Sequence, residues 1–473
     1  MDQDTPASRP PRARTLPRRG WRFGVALLFL AALVAEVVAR ALLPPPGMQA
    51  SGLVMGYQPG APHLRYDPAL GGWIRARQEL TPFLFVPDDK PAGVLRIAAL
   101  GDGTLRTVPP DGPAWQLAAL LEHGSGREVQ LIAAAGRGYG TARLEGLQRE
   151  LLGHDLDAVV LYTGHYEFAE TRSSPLLDLR RPPLLRAIQV LASRSRLLAV
   201  LGVGVHTPPP PPPGNHGALA QDPLEIKERA RLLDWFRARL EAMADDVCSA
   251  RVPAVWVLPA SNLLRPPRSS AWPEGASSEE RGAFERDVTG LGEAVERGDP
   301  GVIAALQPVL ERAPAHAGLW YLRGRALLAA GDVVGAREAL TRARDLDASP
   351  CRATSDQRRA MDEVARAHGI AVVDAEAALL AADQGRYLHG GYGNHYDLLT
   401  TEAYRIVMEA VYGELVVQFS DLGDPMALRA ALPARDAPLP SLRAAPAMRG
   451  PVFDSDFRIA SAEPAGPDPV PPP

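Results

Sequence analysis

Cysteine is nearly absent from this chain: its 473 residues hold only Cys248 and Cys351. Without a Cys-x-x-Cys pair or a zinc-type ligand spacing, neither a thiol redox motif nor a structural zinc module is encoded. The two thiols can pair in an oxidising compartment or stay free and buried, and sequence leaves both open. A basic field is lacking too. The formal charge is -4, so no nucleic-acid partner is expected. No metal or cofactor is expected either. Proline is the opposite case, with 47 residues, but it is clustered and so marks linkers rather than uniform disorder.

Residues 1–22 are basic, with Arg9, Arg12, Arg14, Arg18, Arg19 and Arg22 against Asp2 and Asp4. Residues 23–43 follow as an apolar run broken only by Glu36 and Arg40. As a helix this run spans roughly 30 Å, enough to cross a bilayer core. Arg40 can snorkel to the interface, whereas Glu36 is costly unless it finds a partner. The arginines place the N-terminus in the cytoplasm and send the bulk of the chain outward. The expectation is a single-pass bacterial inner-membrane protein with a periplasmic main domain. Ala39-Arg40-Ala41 keeps open the alternative of a cleaved signal segment and secretion.

Residues 44–93 read as a lead-in rich in glycine, proline and aromatics. An alternation of short apolar strands and amphipathic helices then occupies 94–269 and 351–420. Strands are predicted at Val94–Leu100, Val129–Ala134, Ala158–Tyr162, Ala254–Leu258 and Ile370–Val373. Helices are predicted near Ala114–Leu121, Thr141–Leu152, Leu184–Leu201, Pro223–Ala250, Ser355–His368 and Thr401–Phe419. That pattern predicts an α/β fold: a three-layer, flavodoxin-like parallel sheet covered on both faces. Pro208–Pro213 reads as a stiff exposed loop. Residues 270–350 interrupt the alternation and are too long for a bare loop. The Pro- and Ala-rich tail, 421–473, is expected to be disordered.

Within the interruption, Trp320, Gly324, Leu327, Ala336, Leu340 and Ala343 resemble the packing positions of one tetratricopeptide repeat (TPR). Gly298-Asp299 and 303–311 resemble half of a preceding one. Such residues describe helix packing rather than chemistry. One and a half repeats must lean on the sheet domain.

Chemistry is expected at strand ends. The first strand stops at Gly101-Asp102-Gly103-Thr104, where open α/β sheets carry their sites. This turn resembles the first block of the SGNH (GDSL-type) esterases. The third block, Tyr162-Thr163-Gly164-His165-Tyr166-Glu167-Phe168, resembles exported members of that superfamily that carry TPR repeats. The resemblance implies a serine nucleophile, a glycine amide and an asparagine as oxyanion donors, and an Asp-x-x-His base. Here Gly103 stands at the serine, Gly136 keeps the glycine, and Tyr166 replaces the asparagine. Around Asn394–Tyr404, the histidine falls on Leu398 or Thr400, depending on register. The nucleophile, the amide and the base are therefore all replaced.

Three substitutes are present. Thr104 carries a hydroxyl next to the nucleophile position. His165 and Glu167 offer an acid–base pair. His395 and Asp397, with His389, precede the last helix and offer a displaced base. Asn262 and the Arg352-Ala353-Thr354 segment are expected at the pocket rim. The leading expectation is a catalytically degenerate envelope protein. It binds an acylated or sugar-like ligand in a relic pocket of Asp102, Gly103, Gly136, His165, Tyr166, Glu167 and Asn262, or a protein partner on its TPR-like helices. The alternatives are an active esterase or acyl-transfer enzyme using Thr104 with His395, acting on acyl or acetylated-sugar esters, and a pure TPR scaffold.

Overall fold

The computed structural model describes residues 18–43, 62–75, 84–105, 112–136, 138–173, 224, 226–272, 277–382, 399–419 and 421–435, with pieces within 184–200 and 392–397, and 437–439. In chain order, helix α1 (Arg18–Leu42) comes first, then strands β1 (Leu64–Asp67), β2 (Gly72–Arg75) and β3 (Phe85–Pro87). Next are β4 (Leu95–Gly101), α2 (Pro113–Ser125), β5 (Val129–Ala135), α3 (Thr141–Leu151) and β6 (Ala158–Tyr162). Short helices α4 (Glu167–Ser173) and α5 (Arg196–Val200) precede α6 (Ile226–Ala250) and β7 (Ala254–Leu258). Four helices interrupt the alternation: α7 (Ser278–Arg297), α8 (Val302–Arg312), α9 (Ala317–Ala329) and α10 (Val333–Asp345). The chain then runs through α11 (Ser355–Ala367), β8 (Ala371–Asp374), α12 (Ala375–Ala382), α13 (Thr401–Gln418) and α14 (Pro425–Ala430).

Strands β4 to β8 form one parallel sheet in the order β5-β4-β6-β7-β8. Their near-continuous apolar runs fit strands buried on both faces. Side-chain alternation then divides the core in two. Ile97, Ala99, Leu131, Val160, Val255 and Val257 join Leu117, Leu121, Val407 and Val411 of α2 and α13. Ala98, Leu100, Ile132, Val159 and Trp256 join Leu147, Phe236, Leu240 and Met361 of α3, α6 and α11. The result is a three-layer α/β arrangement. Its topological switch point lies between β4 and β6, beyond Gly101 and Tyr162, where open α/β sheets place their crevice.

The lead-in holds more structure than its composition announces. β1, β2 and β3 make a small antiparallel sheet. It is tied to α3 by Glu150, whose carboxylate accepts the His63 and Leu64 amides at 2.9 Å. The tail reading also needs correction. Residues 421–435 are placed, and α14 packs on α13: Tyr412 donates to the Leu428 carbonyl at 3.2 Å and Arg435 pairs with Glu409 at 2.7 Å. Leu428 and Leu432, packed against the core, together with an Asp424 cap, gave that stretch a reason to fold. The proline run and the remainder of the tail lie outside the described residues. Cys248 and Cys351 are both free thiols.

The four inserted helices have their own core, including Phe284, Leu306, Leu310 and Leu319. Gly324 lets α9 and α10 close up, since a Cβ there would lie 2.5 Å from Leu340 Cγ. The two ends of the insertion are drawn together by Asp347. Its buried carboxylate accepts the amides of Arg268, Ser269 and Ser349 at 2.8 to 3.1 Å. The insertion leans on the sheet domain through Leu340, which joins the core, and through Tyr321, whose hydroxyl donates to the Leu264 carbonyl at 2.8 Å.

Helix α1 contains a 20-residue stretch, Phe23–Leu42, of mean hydropathy 2.3, long and apolar enough to span a membrane.

Candidate functional site

The crevice at the switch point is built from the turn after β4 and the turn after β6. Gly101 has no alternative at its position: a Cβ would stand 2.5 Å from the Tyr162 carbonyl oxygen. Asp102 follows, fully buried, and ties the two turns together. Its Oδ1 accepts the Thr104 amide at 2.9 Å and the Thr104 hydroxyl at 2.7 Å, and its Oδ2 accepts the His165 amide at 3.1 Å. Burial lifts the Asp102 carboxyl to about 7 against the pull of these bonds, and the nearby Asp397 charge pushes the same way.

Gly103 faces Tyr166. A Cβ on Gly103 would lie 3.0 Å from the Tyr166 hydroxyl oxygen and 3.2 Å from Cε2 and Cζ. The phenol therefore occupies the space that a longer side chain at 103 would need. Thr104 is fully buried, and its hydroxyl is already committed to Asp102. Gly136 gives its amide to the Gly101 carbonyl at 3.2 Å, which extends the β4–β5 ladder beyond Ala135. An amide used this way does not point at an oxyanion.

His165 is buried. Its Nδ1 accepts the Ala353 amide at 3.1 Å, so the neutral ring carries its proton on Nε2, which has no partner among the described residues. Burial holds its pKa down to about 4; Asp397 opposes that, while Arg344, Arg358 and Arg352 reinforce it. Glu167 does not share the crevice with His165. It turns to the start of α3, where Oε1 accepts the Thr141 amide at 2.7 Å and Oε2 the Thr141 hydroxyl at 2.8 Å. Glu170 accepts the Ala142 amide beside it at 3.0 Å. Burial raises both carboxyls, and Glu170 raises Glu167 further. Gly140, which caps α3 without a side chain, leaves room for them. The His165–Glu167 acid–base pair is thus separated into two structural roles.

Asn262 serves the rim in a structural way. Its backbone N–H donates to the Tyr396 carbonyl at 3.0 Å, and its Oδ1 accepts the Leu264 amide at 3.0 Å. Arg352 donates to the Asn262 and Arg265 carbonyls at 2.8 and 3.0 Å and lies over the Tyr396 ring. Thr354 caps α11 in a reciprocal pair with Gln357. Asp397 is buried near the crevice, close enough to act on Asp102, His165 and Tyr162. Thr400 accepts the Ala403 amide as the cap of α13, so in that register the expected base position is a helix cap. His389, His395 and Leu398 lie outside the described residues.

Asp347 and Arg344 were missed by the sequence reading. Arg344 is buried, pairs with Asp345 at 3.0 Å and donates to Ser355 at 2.8 Å, joining the insertion to α11. Among the described residues no group of three His, Cys, Asp or Glu side chains could hold a metal ion. An open groove of about 780 Å³ lies elsewhere, beside β8, between α12, α13 and α14, where Asp374, Glu409, Glu414, Arg429 and Arg435 line it. No family model and no curated protein matches this chain.

Proposed function

We propose that this chain is a catalytically degenerate, SGNH-like protein, anchored in a bacterial inner membrane by α1, with its folded part in the periplasm. Its role is binding: the inserted helices, read as a TPR-like pair of hairpins, dock a protein partner of the envelope. The observation that carries this reading is the fit of Tyr166 against Gly103. Two of the replaced residues complement each other, the ring of one lying where the side chain of the other is missing. Such a fit is expected of a site that has been filled rather than one that has merely lost a letter.

The committed Thr104 hydroxyl and the laddered Gly136 amide support the same conclusion. An activated hydroxyl needs a base at roughly 2.6–3.2 Å, and an oxyanion needs donors aimed at it. With the phenol over Gly103, the protein-partner reading is favoured over a ligand held in the relic pocket.

The test is hydrolysis of short-chain nitrophenyl esters and acetylated sugars by the full-length chain in detergent. The expected rate is that of a heat-treated control. Turnover above that control that disappears in Thr104→Val or Tyr166→Ala would establish a rearranged esterase instead.

A further inference from the structure

Glu36 lies in the last two turns of α1, where a carboxylate in hydrocarbon is costly unless paired. It is fully engaged. Oε1 accepts from Arg40 Nε at 2.8 Å and from the Arg196 amide at 3.1 Å. Oε2 accepts from Ser195 Oγ at 2.7 Å and from the Leu197 amide at 3.1 Å. In return, the Arg196 guanidinium donates to the carbonyls of Arg40 and Leu43, acceptors that the end of α1 leaves unpaired. Helix α5 is thereby clasped to α1, on which Ala39 is buried.

Just upstream of α5, Leu184, Leu185, Ala187 and Ile188 are helical. Leu184, Leu185 and Ile188 are 71%, 51% and 53% exposed, and on α1 Phe29, Leu30, Val37 and Val38 are exposed as well. At about 1.5 Å per residue, Glu36 sits roughly 9 Å before the end of α1, within the depth of about 5–10 Å at which interfacial helices lie.

We propose that Leu184, Leu185 and Ile188, together with α5, form an interfacial membrane element. Their side chains enter the acyl–headgroup boundary of the leaflet in which α1 ends, and Glu36 fastens the two elements at that depth. The occupant is the lipid surface, because the clasp holds α5 against the last turns of a helix long and apolar enough to cross a membrane, while large apolar side chains a few residues upstream stay exposed. Arg40 and Arg196 stand at its edge, within reach of headgroups. The inference rests on the reading of α1 as a membrane anchor.

The experiment uses the full chain carrying Cys248→Ser and Cys351→Ser, reconstituted into phosphatidylcholine vesicles. A polarity-sensitive fluorophore is attached to a single introduced thiol at Leu28→Cys, Leu185→Cys or Val334→Cys. Lipids bearing an acyl-chain nitroxide serve as quenchers. Quenching at 28 and 185 with none at 334 is the expected result, and Glu36→Ala should bring 185 toward the level of 334 while leaving 28 unchanged. Quenching at 28 alone would remove the interfacial element and leave the anchor standing. Absence of quenching at both 28 and 185 would remove the anchor reading with it. A bright but unquenched probe at 185 would assign this face to protein contact and overturn the proposal.

Discussion

The Tyr166 hydroxyl oxygen lies 3.0 Å from the point where a Cβ on Gly103 would stand. A contact that close is tighter than ordinary van der Waals packing, so a methyl at 103 must push the ring aside. Gly103→Ser is expected to destabilise the chain by about 1–3 kcal/mol, the usual cost of overpacking. Tyr166→Asn in the same chain should recover part of it, giving a coupling of about 1 kcal/mol in a double-mutant cycle. Denaturant melts of the four variants measure this. Strict additivity would mean that the two residues do not share the space.

Acid should destabilise the protein through His165. Its folded pKa is about 4 against an ordinary 6.5, so the folded ring stays neutral while the unfolded one protonates. That contribution is complete above about pH 6.5 and is lost as pH falls toward 4, at most about 3 kcal/mol. His316, the cap of α9, is also held down to about 4 by burial and adds to the slope. His165→Gln keeps an acceptor for the Ala353 amide and should lower the slope between pH 6.5 and 4 by one proton's worth, up to about 1.4 kcal/mol per pH unit. Chemical denaturation at several pH values checks this.

Asp102 works in the opposite direction. Its folded pKa of about 7 exceeds the ordinary 3.8, so the stability it contributes is complete below about pH 3.8 and lost as pH rises through 7. Asp102→Asn should flatten that part of the profile. It should also cost about 1–3 kcal/mol at low pH, because an amide NH2 would face the His165 amide that Oδ2 now accepts. A carbon-13 carboxyl titration that puts Asp102 near 4 would contradict this.

The inserted hairpins should respond to glycine substitution by position. Gly324→Ala places a methyl 2.5 Å from Leu340 Cγ and should cost about 1–3 kcal/mol. Gly290→Ala, mid-helix in α7 with nothing within 4 Å, should stabilise by up to about 1 kcal/mol. Thermal melts of the two variants should move in opposite directions.

Asp347→Ala should loosen the insertion. Three backbone amides lose a charged acceptor, a loss of about 2–4 kcal/mol in all. Limited proteolysis should then cut near 269–277 earlier than in the parent chain. An unchanged cleavage pattern would show that other contacts hold the insertion.

Much of the sheet was legible because each strand is a short apolar run bounded by turns. Ala158–Tyr162 and Ala254–Leu258 coincide with β6 and β7, and the other three strands shift by one residue at one or both ends. The lead-in strands were not legible, because three or four residues among glycines and prolines carry little periodicity. Helix α4 was hidden because its first residue belongs to the block that reads as chemistry. At the site, the missing hydroxyl was visible at Gly103, but the ring that fills its place comes from another strand end. The role of Glu167 had one available signal: Gly140 starts α3 without a capping side chain, so its orphan amides needed an acceptor from elsewhere.

Covalent labelling tests the central claim, a filled and inactive crevice, most directly. The full-length chain would be incubated with a fluorophosphonate that captures activated hydroxyls, and its intact mass measured. The account predicts an unmodified chain. A stoichiometric adduct mapped to Thr104, Thr163 or Tyr166 would contradict it.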